Sequence, residues 1–63
     1  MWCGVSLSLA RALYHRGEME RERGERDAAH ASLTRALALF QACSATVDVD
    51  RARRAIGILE SSG

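Results

Sequence analysis

The 63-residue sequence contains no proline, lysine or asparagine, and only three aromatic residues, Trp2, Tyr14 and Phe40. Without proline, no helix is interrupted by a residue that lacks a backbone N–H. Much of the hydrophobic content is alanine, which buries little apolar area. A core in a chain this short rarely supplies more than about 3–5 kcal/mol. A free-standing fold of this composition is therefore expected to be marginally stable.

Neither sign of charge predominates, because nine arginines stand against eight acidic residues and leave a net charge of +1. A chain this close to neutrality has no electrostatic preference for nucleic acid or for an anionic membrane. The apolar opening MWCGVSLSLA has no preceding positive residue, and Arg11 follows it too soon for a signal peptide or a membrane span. We expect no membrane partner. The use of arginine as the only basic residue is typical of a bacterial coding sequence rich in G and C.

Two cysteines, Cys3 and Cys43, are too few for a disulfide framework. In an antiparallel pair of helices, Cys3 lies about 6 Å along the axis beyond the position opposite Cys43, at a rise of about 1.5 Å per residue. We therefore expect two reduced thiols and a cytoplasmic protein. The spacing of these cysteines with His15 and His30 matches no common zinc site, so no metal or other cofactor is expected.

Apolar residues recur at helical spacing in three segments, which predicts a single all-α domain over residues 1–63. The predicted helices cover about residues 5–23, 27–43 and 48–60. Gly24 is expected to end the first helix, because glycine adopts the left-handed conformation without steric cost. The apolar stripe of that helix consists of Leu9, Ala10, Leu13, Tyr14 and Gly17.

The second helix alternates large and small residues along one stripe. Alanine at positions where burial should be greatest indicates that another backbone approaches closely. The third helix has a comparable stripe, in which Val49, Ala52, Ile56 and Leu59 share one face. The stripe of the second helix consists of Ala29, Leu33, Ala36, Leu37 and Phe40.

The order of these residues resembles a tetratricopeptide (TPR) repeat, in which large residues, glycines and small residues follow one another at fixed places. The continuation ALALFQACSATVDVDRARRAI is similar to the last repeats of TPR arrays in large bacterial signalling proteins. Three positions depart from the pattern: Arg16 replaces leucine, Glu20 replaces tyrosine and Gln41 replaces proline. Arg16 and Glu20 are four residues apart and are expected to pair. The matching residues are Leu13, Gly17, Gly24, Ala29, Leu33 and Ala36.

The resemblance implies a TPR-like antiparallel helical hairpin plus one further helix, about one and a half repeats of an α-solenoid. It implies protein–protein interaction in signal transduction, within the terminal fragment of a larger bacterial regulator. That parent would be an ATPase-type transcriptional regulator, or a nucleotide cyclase or kinase with a TPR array. One hairpin cannot bury both of its faces, so neighbouring repeats or self-association are expected as well. The concave face implied by the repeat register carries the candidate partner-binding residues Arg11, Tyr14, Glu18, Arg21 and Glu22.

No order of serine, histidine and acid indicates a catalytic triad, and the sequence has no glycine-rich phosphate loop, so we expect no enzyme. The alternative hypothesis is a small helical nucleic-acid-binding regulator that uses Arg51, Arg53 and Arg54 of the third helix. The near-neutral charge and the lack of interleaved aromatic residues instead favour a solvated helix face, balanced by Asp48 and Asp50.

Overall fold

The computed structural model describes residues 3–61, apart from the side chain of Cys3, and this part of the chain is three α-helices without a β-strand. Helix α1 spans Cys3–Glu22, α2 spans Arg26–Ala42 and α3 spans Thr46–Ser61. The predicted all-α class is confirmed, and each predicted helix end lies within two residues of the observed one. The predicted state of the Cys3 thiol lies outside the described residues.

The first turn ends α1 at the predicted glycine. Gly24 has a φ of +83°, in the left-handed region. Its N–H donates to the Arg21 carbonyl at 3.1 Å, and the Glu25 N–H donates to the Glu20 carbonyl at 2.9 Å. These two bonds satisfy carbonyls that the end of a helix leaves unpaired, in the arrangement of a Schellman cap.

The second turn repeats this geometry without a glycine. Ser44 has a φ of +56° and its N–H donates to the Gln41 carbonyl at 3.1 Å. The Ala45 N–H donates to the Phe40 carbonyl at 2.9 Å. Because a side chain in the left-handed region is strained, this turn costs more conformational energy than the one at Gly24.

Helices α1 and α2 are antiparallel and cross closely at Gly17. A Cβ atom built on Gly17 would lie 2.7 Å from Cγ of Leu33 and 3.3 Å from the carbonyl oxygen of Ala29. Ala29 and Leu33 are fully buried. The expectation that small residues mark a close approach of two backbones is therefore confirmed at this crossing.

The core consists of two clusters. Tyr14 is half-buried and packs against both. Alanine supplies five of the eight buried hydrophobic residues in the described chain, so the core buries little area for its size. We call the first the Phe40 cluster, which contains Ala10, Ala36, Phe40 and Ala52 with Leu13 and Leu37 packed against it. The second is the Leu33 cluster, which contains Ala29, Leu33, Ala55 and Leu59.

The observed core differs from the predicted stripes at three positions, one in α1 and two in α3. Leu9 was expected among the buried residues of α1 but is 55% exposed. The buried residues in the described part of α1 are Ala10 and Gly17, which define the line along which this helix contacts α2. At about 100° per residue, Leu9 lies to one side of that contact line. In α3, Ala55 is buried although it was not part of the predicted stripe, while Ile56 is only half-buried.

Candidate partner-binding surface

A cleft of about 170 Å³ is lined by residues of all three helices. Arg11 and Tyr14 of α1 form one wall, and Asp48 and Arg51 of α3 form the other. Phe40 of α2 lies at the base, since it is only 2% exposed. The two residues of each wall are three positions apart, which places them on one face of their helix.

The charged side chains of the cleft form no ion pairs or side-chain hydrogen bonds with one another or with other residues of the described chain. None of the side-chain hydrogen bonds or ion pairs within residues 3–61 involves Arg11, Asp48 or Arg51. Two guanidinium groups and one carboxylate give the cleft a formal charge of +1. A guanidinium presents a planar fork of donors that matches a carboxylate, so the cleft is suited chemically to an anionic group.

The structure brings together two of the five predicted partner-binding residues. Arg11 and Tyr14 line the cleft. Glu18 and Arg21 are half-buried farther along α1, and Glu22 is exposed at its end; none of these three lines the cleft. The sequence did not predict that Asp48 and Arg51 of α3 line a partner-binding surface. Within their own helix, Asp48 is interpreted as surface charge that balances the arginines, and Arg51 as a candidate nucleic-acid contact.

A second surface, which we call the outer groove, lies between α1 and α2. Leu9 is more than half exposed there, and Leu13 and Leu39 are half-buried. These two leucines also pack against the Phe40 cluster, so the groove is continuous with the core. The full lining of the groove is Leu9, Leu13, Arg35, Ala38 and Leu39.

A polar bridge joins α1 to α2 at Glu20. Arg16 Nε lies 3.6 Å from Glu20 Oε2, as expected from their spacing. The hydroxyl of Ser32 donates to Glu20 Oε1 at 2.7 Å, and the Glu20 side chain is only 14% exposed. The glutamate therefore links the two helices. Sequence reasoning did not find the Ser32 contact.

The three arginines of α3 do not share one surface. Arg51 lines the cleft, while Arg53 lines a separate depression together with Val47 and Val49. Arg54 pairs with Asp50, with Nε and Oδ2 3.3 Å apart. Phosphate binding depends on several cations that face the same backbone, so this distribution does not favour the nucleic-acid hypothesis.

Other chemical features of the described chain are few. Within residues 3–61, no three histidine, cysteine or acidic side chains come together in a way that could hold a metal ion. None of the helices described is both long enough and apolar enough to span a membrane. Comparison with known proteins gives no match, whether to a protein-family model, to a curated protein or to a solved structure.

Proposed function

We propose that this chain is a TPR-like helical repeat unit that acts by binding another protein and carries out no chemistry of its own. The observation that carries the proposal is the cleft. It unites Arg11 and Tyr14, which the repeat register assigns to the concave face, with Asp48 and Arg51 of the following helix. The close crossing at Gly17 supports the repeat interpretation, because the family uses small residues for the same purpose.

The lining of the cleft favours a polar segment of the partner. Three of its five lining residues are charged, and the apolar surface is limited to Tyr14 and Phe40. A volume of about 170 Å³ holds one or two side chains rather than a whole helix face. A peptide that carries a charged group on a short stem fits this surface better than an amphipathic helix does.

The outer groove is the surface through which this unit packs against a neighbouring repeat of an array. Helix α3 packs against α2 on the flank where it meets the Leu33 cluster, whereas Leu9 on the other flank stays exposed. The resemblance assigns that flank to a neighbouring repeat of a larger cytoplasmic bacterial regulator. Thermal melts by circular dichroism at concentrations a hundredfold apart test this assignment. A melting temperature that rises with concentration indicates that the repeat faces need neighbours; a cooperative, concentration-independent melt contradicts it.

Peptide titrations followed by two-dimensional NMR of the ¹⁵N-labelled chain test the cleft itself. Four pools of capped hexapeptides serve as probes: acidic, basic, neutral polar and apolar. We expect one of the polar pools to shift the amide signals of Arg11, Tyr14 and Arg51. Arg11→Ala should weaken that response, while Arg35→Ala, an exposed arginine of the outer groove, should leave it unchanged.

Two outcomes of these titrations contradict the proposal. In one, no pool moves the cleft signals at concentrations where weak peptide binding is measurable. In the other, a short DNA duplex shifts the α3 signals with a steep dependence on salt, because phosphate contacts lose affinity steeply as salt rises. That result favours the nucleic-acid-binding regulator instead.

A further inference from the structure

The cleft lies at the weakest junction of the fold. Helices α1 and α3 each pack extensively on α2 but meet each other over only a few residues. No α1 residue is among the buried members of the Leu33 cluster, and in the Phe40 cluster the buried contributions of α1 and α3 are the small residues Ala10 and Ala52. Little apolar surface therefore holds α3 directly to α1.

Like charges stand on the two walls of this junction. Arg11 on α1 and Arg51 on α3 line the same cleft, and neither has an ion-pair partner within the described chain. Asp48, on the same wall as Arg51, offsets one of these two positive charges, so the cleft keeps a formal charge of +1. An anion bound by both arginines neutralises the remaining charge and adds charge-assisted hydrogen bonds to both helices.

We propose that one carboxylate of the partner binds between Arg11 and Arg51 and thereby holds α3 to α1, so that partner binding stabilises the fold. This inference rests on the proposed function and names the group that the cleft recognises. Asp48 leaves the cleft with a formal charge of +1, which matches a carboxylate better than a phosphate of nearly two negative charges. The ring of Tyr14 provides an apolar wall for the stem that carries the carboxylate.

Stabilisation follows because the site exists only in the folded chain. Its residues come from all three helices, so the unfolded chain offers no comparable site. A ligand that binds only the folded state raises stability by RT ln(1 + [L]/Kd). At a ligand concentration several times Kd, a domain of this size is expected to melt about 5 °C higher.

Thermal melts of the full chain with two matched peptides test the proposal. The probes are acetyl-Ala-Glu-Ala-amide and acetyl-Ala-Gln-Ala-amide, at the same ionic strength. We expect the glutamate peptide to raise Tm by about 5 °C at concentrations several times Kd, and the glutamine peptide to have little effect. Arg51→Gln should abolish the response, while Arg53→Gln, an exposed arginine of the same helix outside the cleft, should preserve it.

Three outcomes overturn the inference: equal shifts with both peptides, a shift that survives Arg51→Gln, or a larger arginine-dependent shift with inorganic phosphate at matched ionic strength. NMR separates this failure from failure of the proposed function. If peptides bind at the cleft but the Tm shift does not depend on Arg51, the inference that a carboxylate stabilises the fold is wrong, while the proposed protein-binding function is retained. If no peptide binds at the cleft, both proposals fail.

Discussion

The two interfaces that α2 makes, with α1 and with α3, differ in whether a glycine lies at the point of contact. At the α1–α2 crossing, a single added carbon on Gly17 would collide with the buried side chain of Leu33. Helix α3 also contains an internal glycine, but a Cβ on Gly57 would meet nothing within 4 Å. A glycine in a helix therefore marks a close crossing only where it lies on the contact line, and Gly57 lies off that line.

Polar contacts show the same contrast. Between α1 and α2, the Ser32 hydroxyl bonds to a mostly buried Glu20 at 2.7 Å. Between α2 and α3, His30 Nε2 lies 3.5 Å from Glu60 Oε2 in an exposed contact, with side-chain exposures of 47% and 67%. The α1–α2 interface is specified by shape and by a directional hydrogen bond. The α2–α3 interface depends mainly on the burial of Ala52, Ala55 and Leu59, and its polar contact is exposed to solvent.

The largest loss of stability is expected from a substitution of Phe40, the residue that both interfaces share. Phe40 packs with Ala10 of α1 and Ala52 of α3, and Phe40→Ala should cost about 3–5 kcal/mol. That is as much as a core of this size supplies, so the variant should be largely unfolded at 25 °C. Far-UV circular dichroism with urea titration measures this. Ile58→Ala, at a 54% exposed position, is the control and should change stability by less than about 0.5 kcal/mol.

Alanine substitutions at the two internal glycines should have opposite signs. Gly17→Ala forces Leu33 or the helix axes to move and should destabilise the chain by about 1–3 kcal/mol. Gly57→Ala enters open space and should stabilise it by about 0.5–1 kcal/mol, because alanine has less backbone entropy to lose. Urea midpoints of the two variants provide the comparison. If both substitutions stabilise the chain, the close crossing of α1 and α2 is wrong.

A smaller effect should follow from removing the polar bridge between α1 and α2. Ser32→Ala leaves a mostly buried carboxylate with one hydrogen bond fewer, at a cost of about 1–2 kcal/mol. Thr34→Ala is the matched control, because its hydroxyl is exposed and bonds only to the His30 carbonyl of its own helix. A double-mutant cycle with Glu20→Gln measures the coupling. A coupling energy near zero means that the bridge contributes nothing to stability.

The helices and their close crossing could be predicted because the signals are local. Gly24 ends α1, and the spacing of Gly17, Ala29 and Leu33 showed which faces meet, because helical periodicity fixes the face a residue occupies. Periodicity does not fix how far a helix is displaced sideways from its neighbour. Leu9 was therefore placed in the core, although α2 leaves it exposed.

The cleft and the polar bridge could be predicted only in part, since both depend on residues far apart in the chain. Arg11 and Arg51 are 40 positions apart and line the same cleft because both of their helices pack on α2. Each arginine alone looks like ordinary surface charge. The bond from Ser32 to Glu20 needed the register of α1 against α2, and the sequence indicated only the Arg16 partner of that glutamate.

The smallest change in stability is expected from the exposed contact between His30 and Glu60 at the edge of the α2–α3 interface. His30 and Glu60 are both exposed, and their contact is an ion pair only when the histidine is protonated; such pairs contribute about 0.2–1 kcal/mol at most, because water and salt screen them. His30→Ala and Glu60→Ala, combined in a double-mutant cycle at low and high salt, should give a coupling energy below about 0.5 kcal/mol that vanishes at high salt. A larger, salt-independent coupling would mean that this interface is specified by a directional polar contact as well. The contrast with the α1–α2 interface would then rest on the close contact at Gly17 alone.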